Sequence, residues 1–125
     1  MILYTRGVKM KIKFKLWVEN NDGELIIGEG LLKLLLAIKE TGSISKASEK
    51  LNMSYRTAWG RLKKVEDRLN CKLIEKKYGG ESGGGTTLTE KGDILLKNYD
   101  ELYHKTENYV QEQFEEFLDS NFFKD

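Results

Sequence analysis

The stretch ETGSISKASEKLNMSYRTAWGRLKKVEDRL, residues 40–69, carries two helical patterns separated by a tight break. Gly42 suits the left-handed position that ends a preceding helix, Leu31 to Ile38, and Ser43 suits the N-cap of the next. Ile44, Ala47 and Leu51 then recur at helical spacing over about two turns. LNMS, residues 51–54, interrupts the pattern, and Ser54 caps a longer helix running to Leu69 and Asn70. Two helices joined by a short turn predict a helix-turn-helix.

The second helix has two unlike faces. On a wheel of about 100° per residue with Ala58 at zero, Leu62, Val65 and Leu69 fall within about 40° of it. Tyr55 lies at about 60° and Trp59 at about 100°, so both border the core face. Arg56, Gly60, Lys63 and Lys64 point the opposite way, with Thr57 and Arg61 at the flank. A DNA major groove admits one helix and is read by Arg and polar side chains near its N-terminus, which places Arg56 and Thr57 as readers. Lys63 and Lys64, two turns on, face the phosphates instead. Glycine inside a helix costs roughly 1 kcal/mol relative to alanine. Gly60 therefore either lets the backbone approach DNA or relieves crowding against another helix. Trp59 could reach a base or phosphate, but its place beside the core face favours packing.

Outward from this pair, KLIEKKY (72–78) and TTL (86–88) read as short strands joined by GGESGGG (79–85), a glycine hairpin or wing. The loop lacks the Gly-Lys-Ser/Thr ending of a nucleotide-binding P-loop. Lys76 and Lys77 beside it, with Gly80, Ser82, Gly83 and Gly84 within it, suit contact with a phosphate backbone; the plainer reading is a mobile hairpin tip. Thr89 then caps a long helix with Leu95, Tyr99, Leu102, Tyr103, Tyr109, Val110, Phe114 and Phe117 in a stripe. That stripe exceeds what one helix can bury on a small domain, and predicts a homodimer. Toward the N-terminus, Ile12, Phe14, Leu16 and Val18 alternate with Lys11, Lys13, Lys15 and Trp17, a strand pattern. NNDG (20–23) makes a turn, and Leu25–Ile27 is placed to pair back on the strand. Residues 1–10 show no clear pattern and read either as a lead segment without order or as an alternative start.

The fold class is therefore α+β, mainly α. A winged helix-turn-helix spans 11–90 with an N-terminal strand, and a long C-terminal dimerisation helix spans 91–125. Charge follows the same division. The formal net charge of the 125 residues is +1, yet residues 42–78 hold ten basic and four acidic side chains, and residues 89–125 hold four and ten. A basic centre beside an acidic tail suggests a polyanion-binding surface next to a segment kept off the polyanion; plain solvated helix faces are the other reading.

ETGSISKASEKLNMSYRTAWGRLKKVEDRL followed by YGGESGGGTTLTEKG resembles the N-terminal winged-helix domain of ModE-type, molybdate-responsive transcription regulators, over roughly residues 24–117. The helix-turn-helix core is also similar to that of LysR-type regulators. The resemblance implies that Ser54, Tyr55, Arg56 and Thr57 open the recognition helix, that residues 79–86 form the wing, and that the terminal helix dimerises. Molybdate-sensing members carry C-terminal oxyanion-binding domains, and this chain is expected to lack one. Its effector is left open.

The function these readings favour is sequence-specific binding of double-stranded DNA by a dimeric transcription regulator. The alternative is a winged-helix adaptor whose recognition face binds protein. An enzyme is not expected. Glu115 and Glu116 diverge by about 100° on their helix, while His104 and Cys71 have no catalytic companion in the sequence. One cysteine and one histidine exclude an internal disulfide and a Cys/His zinc site, so no metal or cofactor is expected. GLLKLLLAI (30–38) falls far short of the ~20 residues that span a bilayer. The start shows no secretory pattern, so the chain is expected to be cytoplasmic and off the membrane.

Overall fold

The cap chemistry read from residues 40–54 organises the molecule. The computed structural model describes residues 2–5, 7–77 and 85–121, with side chains described from Gly7 onward. Helix α1 (Glu29–Thr41) ends where Gly42 turns left-handed at φ 70° and donates its N–H to the Ile38 carbonyl. Ser43 Oγ then accepts from Lys46 N–H at 3.1 Å and opens α2 (Ile44–Lys50). Asn52 takes a left-handed φ of 55° in the turn, a conformation asparagine tolerates better than most residues. Ser54 Oγ accepts from Thr57 N–H at 3.0 Å to open α3 (Tyr55–Leu69), which Asn70 ends at φ 53°.

The chain divides into two compact units, one of Leu16–Asp100 and one of Met1–Lys15 with Glu101–Asp125. In the first unit, Leu34, Leu35 and Ile38 of α1, Ala47 of α2, and Ala58 and Leu62 of α3 are fully shielded from solvent. Burying one such leucine or isoleucine contributes about 1.5–3 kcal/mol. Strands β3 (Val18–Glu19) and β4 (Leu25–Ile27) pair antiparallel across the Asn20 turn, where Asn20 Oδ1 accepts from Asp22 and Glu24 N–H. Strands β5 (Ile74–Lys77) and β6 (Gly85–Leu88) pair antiparallel as the stem of the wing. This is a mainly helical α+β winged helix-turn-helix. The loop of the wing, with Gly80, Ser82, Gly83 and Gly84, lies outside the described residues.

Two glycines are fixed by close approach. A Cβ at Gly85 would meet the Gly42 carbonyl oxygen at 2.6 Å, and the next residue, Thr86, donates its N–H to that same oxygen. A Cβ at Gly92 would meet the Leu73 carbonyl oxygen at 2.2 Å, so the start of α4 (Glu90–Leu118) can seat only glycine there. Thr89 holds the junction: its Oγ1 accepts from Gly92 N–H at 3.0 Å and donates to the Lys72 carbonyl at 2.7 Å.

The N-terminal expectation needs correction. Strand β1 (Ile2–Thr5) pairs antiparallel with β2 (Val8–Lys11), where a lead segment was expected. The strand expected from Lys11 to Val18 does not form one ladder, because residues 12–17 have no strand partner among the described residues. Their alternation is nevertheless real: Ile12, Phe14 and Leu16 are half-buried while Lys11, Lys13, Lys15 and Trp17 are exposed. Side-chain contact alone produces that pattern, since Phe14 stacks on Tyr103 at 5.4 Å and the Leu16 carbonyl accepts from Tyr99 Oη at 2.7 Å. The stripe on α4 also splits. Tyr99 and Phe114 are buried, Leu95, Tyr103 and Val110 are half-buried, and Leu102, Tyr109 and Phe117 are exposed, while Leu96 and Leu118, outside the stripe, are buried. No helix among the described residues is long and apolar enough to cross a membrane.

Candidate nucleic-acid interface

The helix that carries the basic residues is anchored by its opposite face. Ala58, Leu62 and Val65 are buried, which turns Arg56, Thr57, Arg61 and Lys64 outward and leaves all four exposed. Among the described residues, no ion pair or hydrogen bond occupies the side chains of Arg56, Arg61 or Lys64. The Thr57 hydroxyl accepts from Ser54 Oγ at 2.9 Å, so these two are tied to each other at the helix start. Arg68 is spent on structure: its guanidinium donates to the Leu25 carbonyl at 2.7 Å and meets Glu24 at 3.3 Å.

Gly60 sits in the middle of this outward face. A Cβ there would meet nothing within 4 Å, so crowding against another helix is not the reason for glycine. Tyr55 and Trp59 also depart from expectation. Tyr55 is 48% exposed and Trp59 41% exposed, so neither is packed into the core. The core boundary on that side is taken by Glu66 instead, 4% exposed.

Glu66 is the residue that sequence reasoning missed. Its Oε2 accepts from the backbone N–H of Leu73 at 2.8 Å and of Ile74 at 3.3 Å, tying the last turn of α3 to the start of β5 and the residue before it. Its Oε1 faces the ammonium groups of Lys63 at 3.4 Å and Lys72 at 3.8 Å. Satisfying two backbone donors and meeting two cations offsets the desolvation of the carboxylate. The only signal in the sequence was a carboxylate one residue beyond Val65, on the border of the apolar face. Lys63 is thereby partly diverted inward, and its ammonium also lies 5.5 Å from the centre of the Trp59 ring. Lys72, hydrogen-bonded to Lys63 and repelled by its charge, titrates below the ordinary lysine range, and the same contact together with Glu66 raises Lys63 above it.

Ser54, Tyr55, Arg56, Thr57, Arg61 and Lys64 are thus exposed on α3 and its cap, and Gly60 between them is half-buried. Lys76 and Lys77 are exposed on β5, at the base of the wing. No group of three or more His, Cys, Asp or Glu among the described residues could hold a metal ion.

A family model of the bacterial regulatory helix-turn-helix proteins, lysR family, matches residues 30–93. The transcriptional regulator ModE of Haemophilus influenzae is 36% identical over 86 residues, covering 69% of this chain and 33% of that protein. The DNA-binding transcriptional dual regulator ModE of Escherichia coli is 35% identical over 71 residues, 57% of this chain and 27% of its own length. The chain therefore spans about a third of the curated relatives it matches. Among solved structures, the CbnR DNA-binding domain in complex with DNA superposes with a TM-score of 0.54 at 20% identity, covering 70% of this chain and 94% of that one. The BenM DNA-binding domain in complex with its benA site 1 DNA gives 0.51 at 20% identity, covering 67% and 89%. At that identity these two show the shared fold.

Proposed function

The chain belongs to the bacterial regulatory helix-turn-helix proteins of the lysR family, and from that premise we propose that it is a dimeric, sequence-specific regulator that binds double-stranded DNA. One observation carries the reading. Arg56, Arg61 and Lys64 are exposed, and among the described residues unpaired, on the outward face of a helix whose other face is buried. Cations left without partners on a rigid element suit an external polyanion. The open space around Gly60 supports the same reading, because a backbone without a side chain admits close approach. The names of the ModE relatives describe transcriptional and DNA-binding regulators, which supports it further.

In this reading Arg56 and Thr57 read base edges from the first turn of α3. Arg61 and Lys64 hold phosphates. Lys76 and Lys77, exposed at the base of the wing, meet the phosphate backbone of the flanking groove. Tyr55 and Trp59 join the face as exposed aromatics. Dimerisation rests on α4, where Leu102 and Tyr109 are exposed apolar side chains one heptad apart. Recognition helices of the two copies would then enter successive major grooves, about 34 Å apart, on an inverted repeat.

Selection of duplex DNA from a random pool, followed by gel-shift titration against salt, tests the proposal. Arg56→Ala should lower affinity for the selected site by roughly 1–3 kcal/mol and leave scrambled duplex nearly unaffected. Lys64→Ala should weaken both duplexes alike and reduce the salt slope by about 1 per copy. Binding of neither duplex at low salt would favour the protein-adaptor reading instead.

A further inference from the structure

The seam between α3 and β5 holds a pocket of about 460 Å³, all of it within the unit of Leu16–Asp100. That size falls in the range of small-molecule sites, about 300–1,000 Å³. Trp59 and Ile74 give the pocket an apolar wall, and Lys63, Lys72 and Lys76 give it three ammonium groups. We propose that it binds a small aromatic anion, with the ring on Trp59 and the charge between Lys63 and Lys72, and that this occupant competes with duplex DNA. The competition rests on the DNA reading above, because Trp59 belongs to both surfaces. The site itself does not.

The charges call for an anion. Glu66 and Glu75 also line the pocket, so three cations face two carboxylates. One oxygen of Glu66 is committed to the backbone of Leu73 and Ile74, and Lys63 at 3.4 Å and Lys72 at 3.8 Å share the other. Two ammonium groups on one oxygen leave a positive charge unanswered. Lys72, hydrogen-bonded to Lys63 and repelled by its charge, accordingly titrates below the ordinary lysine range, and an anion between the two relieves that repulsion. The wall calls for a ring. Trp59 is 41% exposed and the Lys63 ammonium lies 5.5 Å from the centre of its ring, so aromatic surface and positive charge are offered side by side. A ring offset on an indole and an ammonium on a carboxylate or phosphate are both favourable contacts. Duplex DNA does not supply the pair, since a base shows its face only when taken out of the stack. Bare phosphate leaves Trp59 and Ile74 unused.

Nuclear magnetic resonance titration of the isotope-labelled full chain tests this, with adenosine monophosphate and benzoate as probes. The indole N–H signal of Trp59 should shift, and that of Trp17, which lies outside the pocket, should not. A response to the nucleotide alone assigns a nucleoside phosphate, and a response to benzoate alone an aromatic carboxylate. Adenosine and inorganic phosphate each lack one half of the contact and should bind about tenfold more weakly or worse. Lys72→Met should weaken the binding probe by about tenfold or more. Lys72→Arg keeps a cation beside Glu66 and should retain most of the affinity, which separates lost charge from a damaged fold. The proposal fails if neither anion moves Trp59, if phosphate moves it as strongly as the nucleotide, or if Lys72→Met binds unchanged. In gel shifts at fixed ionic strength, a saturating probe should lower duplex affinity several-fold, and unchanged affinity overturns the competition. A protein that binds no duplex overturns the DNA reading, while the titration still decides the pocket.

Discussion

The unit of Leu16–Asp100 and the unit built from the two ends of the chain contain similar residue types but spend them differently. In the first, apolar side chains on α1, α2 and α3 are shielded from solvent, and the helix ends are closed by Gly42, Ser43, Ser54 and Asn70. In the second, Phe114 and Leu118 are buried while Leu102, Tyr109 and Phe117 on the same helix remain exposed. The first unit encloses a shielded core while Trp17, Leu25, Tyr55 and Trp59 stay exposed around it. The second leaves apolar area along a single helix in water, the usual mark of a surface that another molecule covers.

The sharpest way to break this contrast is to truncate one apolar side chain in each unit. Leu62→Ala removes a fully shielded side chain and should destabilise the fold by about 2–5 kcal/mol, read from urea denaturation. Tyr109→Ala should lower monomer stability by no more than about 0.5 kcal/mol while weakening self-association. Equal losses at the two positions in a dilute, monomeric sample would abolish the distinction drawn between the units.

A smaller effect belongs to the polar tie between α3 and β5. Glu66→Ala strands the Leu73 N–H without its acceptor and should cost about 1–3 kcal/mol. Glu66→Gln keeps an acceptor at the same reach and should cost less. Similar stability of both variants and the unaltered protein would show that the carboxylate does not fasten the wing. The smallest effect is expected at Gly60, where an added methyl group meets open space. Gly60→Ala should raise stability by up to about 1 kcal/mol through helix propensity. Its DNA affinity should nevertheless fall if the backbone approaches the duplex there. A stabilised variant with unchanged affinity would remove Gly60 from the interface.

Much of the first unit is legible in the sequence. Its caps are short-range devices: a serine oxygen reaches an N–H three residues on, and a glycine or asparagine turns left-handed where it stands. The outward row of Arg56, Arg61 and Lys64 follows from helical periodicity once Ala58, Leu62 and Val65 are taken as the core. Trp59 and Glu66 were not legible in this way. Both lie on the border of the apolar face, where the wheel cannot decide exposure. Hydropathy placed the indole inside and left the carboxylate unnoticed, and the structure buries the carboxylate.

The local order of the chain, then, is determined by the sequence alone: where helices begin and end, which face of α3 is apolar, and which segments alternate. Each depends on interactions within a few residues, whose geometry the backbone already limits. Tertiary structure decided what requires a distant partner. Residues 11–17 alternate as a strand would, yet the ladder forms between β1 and β2, because alternation records a buried side and does not name a hydrogen-bonding neighbour. Glu66 is buried because the N–H groups of Leu73 and Ile74 come to meet it, and Gly92 is required because the Leu73 carbonyl lies against α4. A charge or a missing side chain in the sequence cannot announce such meetings, since the backbone group that makes each of them favourable or necessary looks alike at every residue.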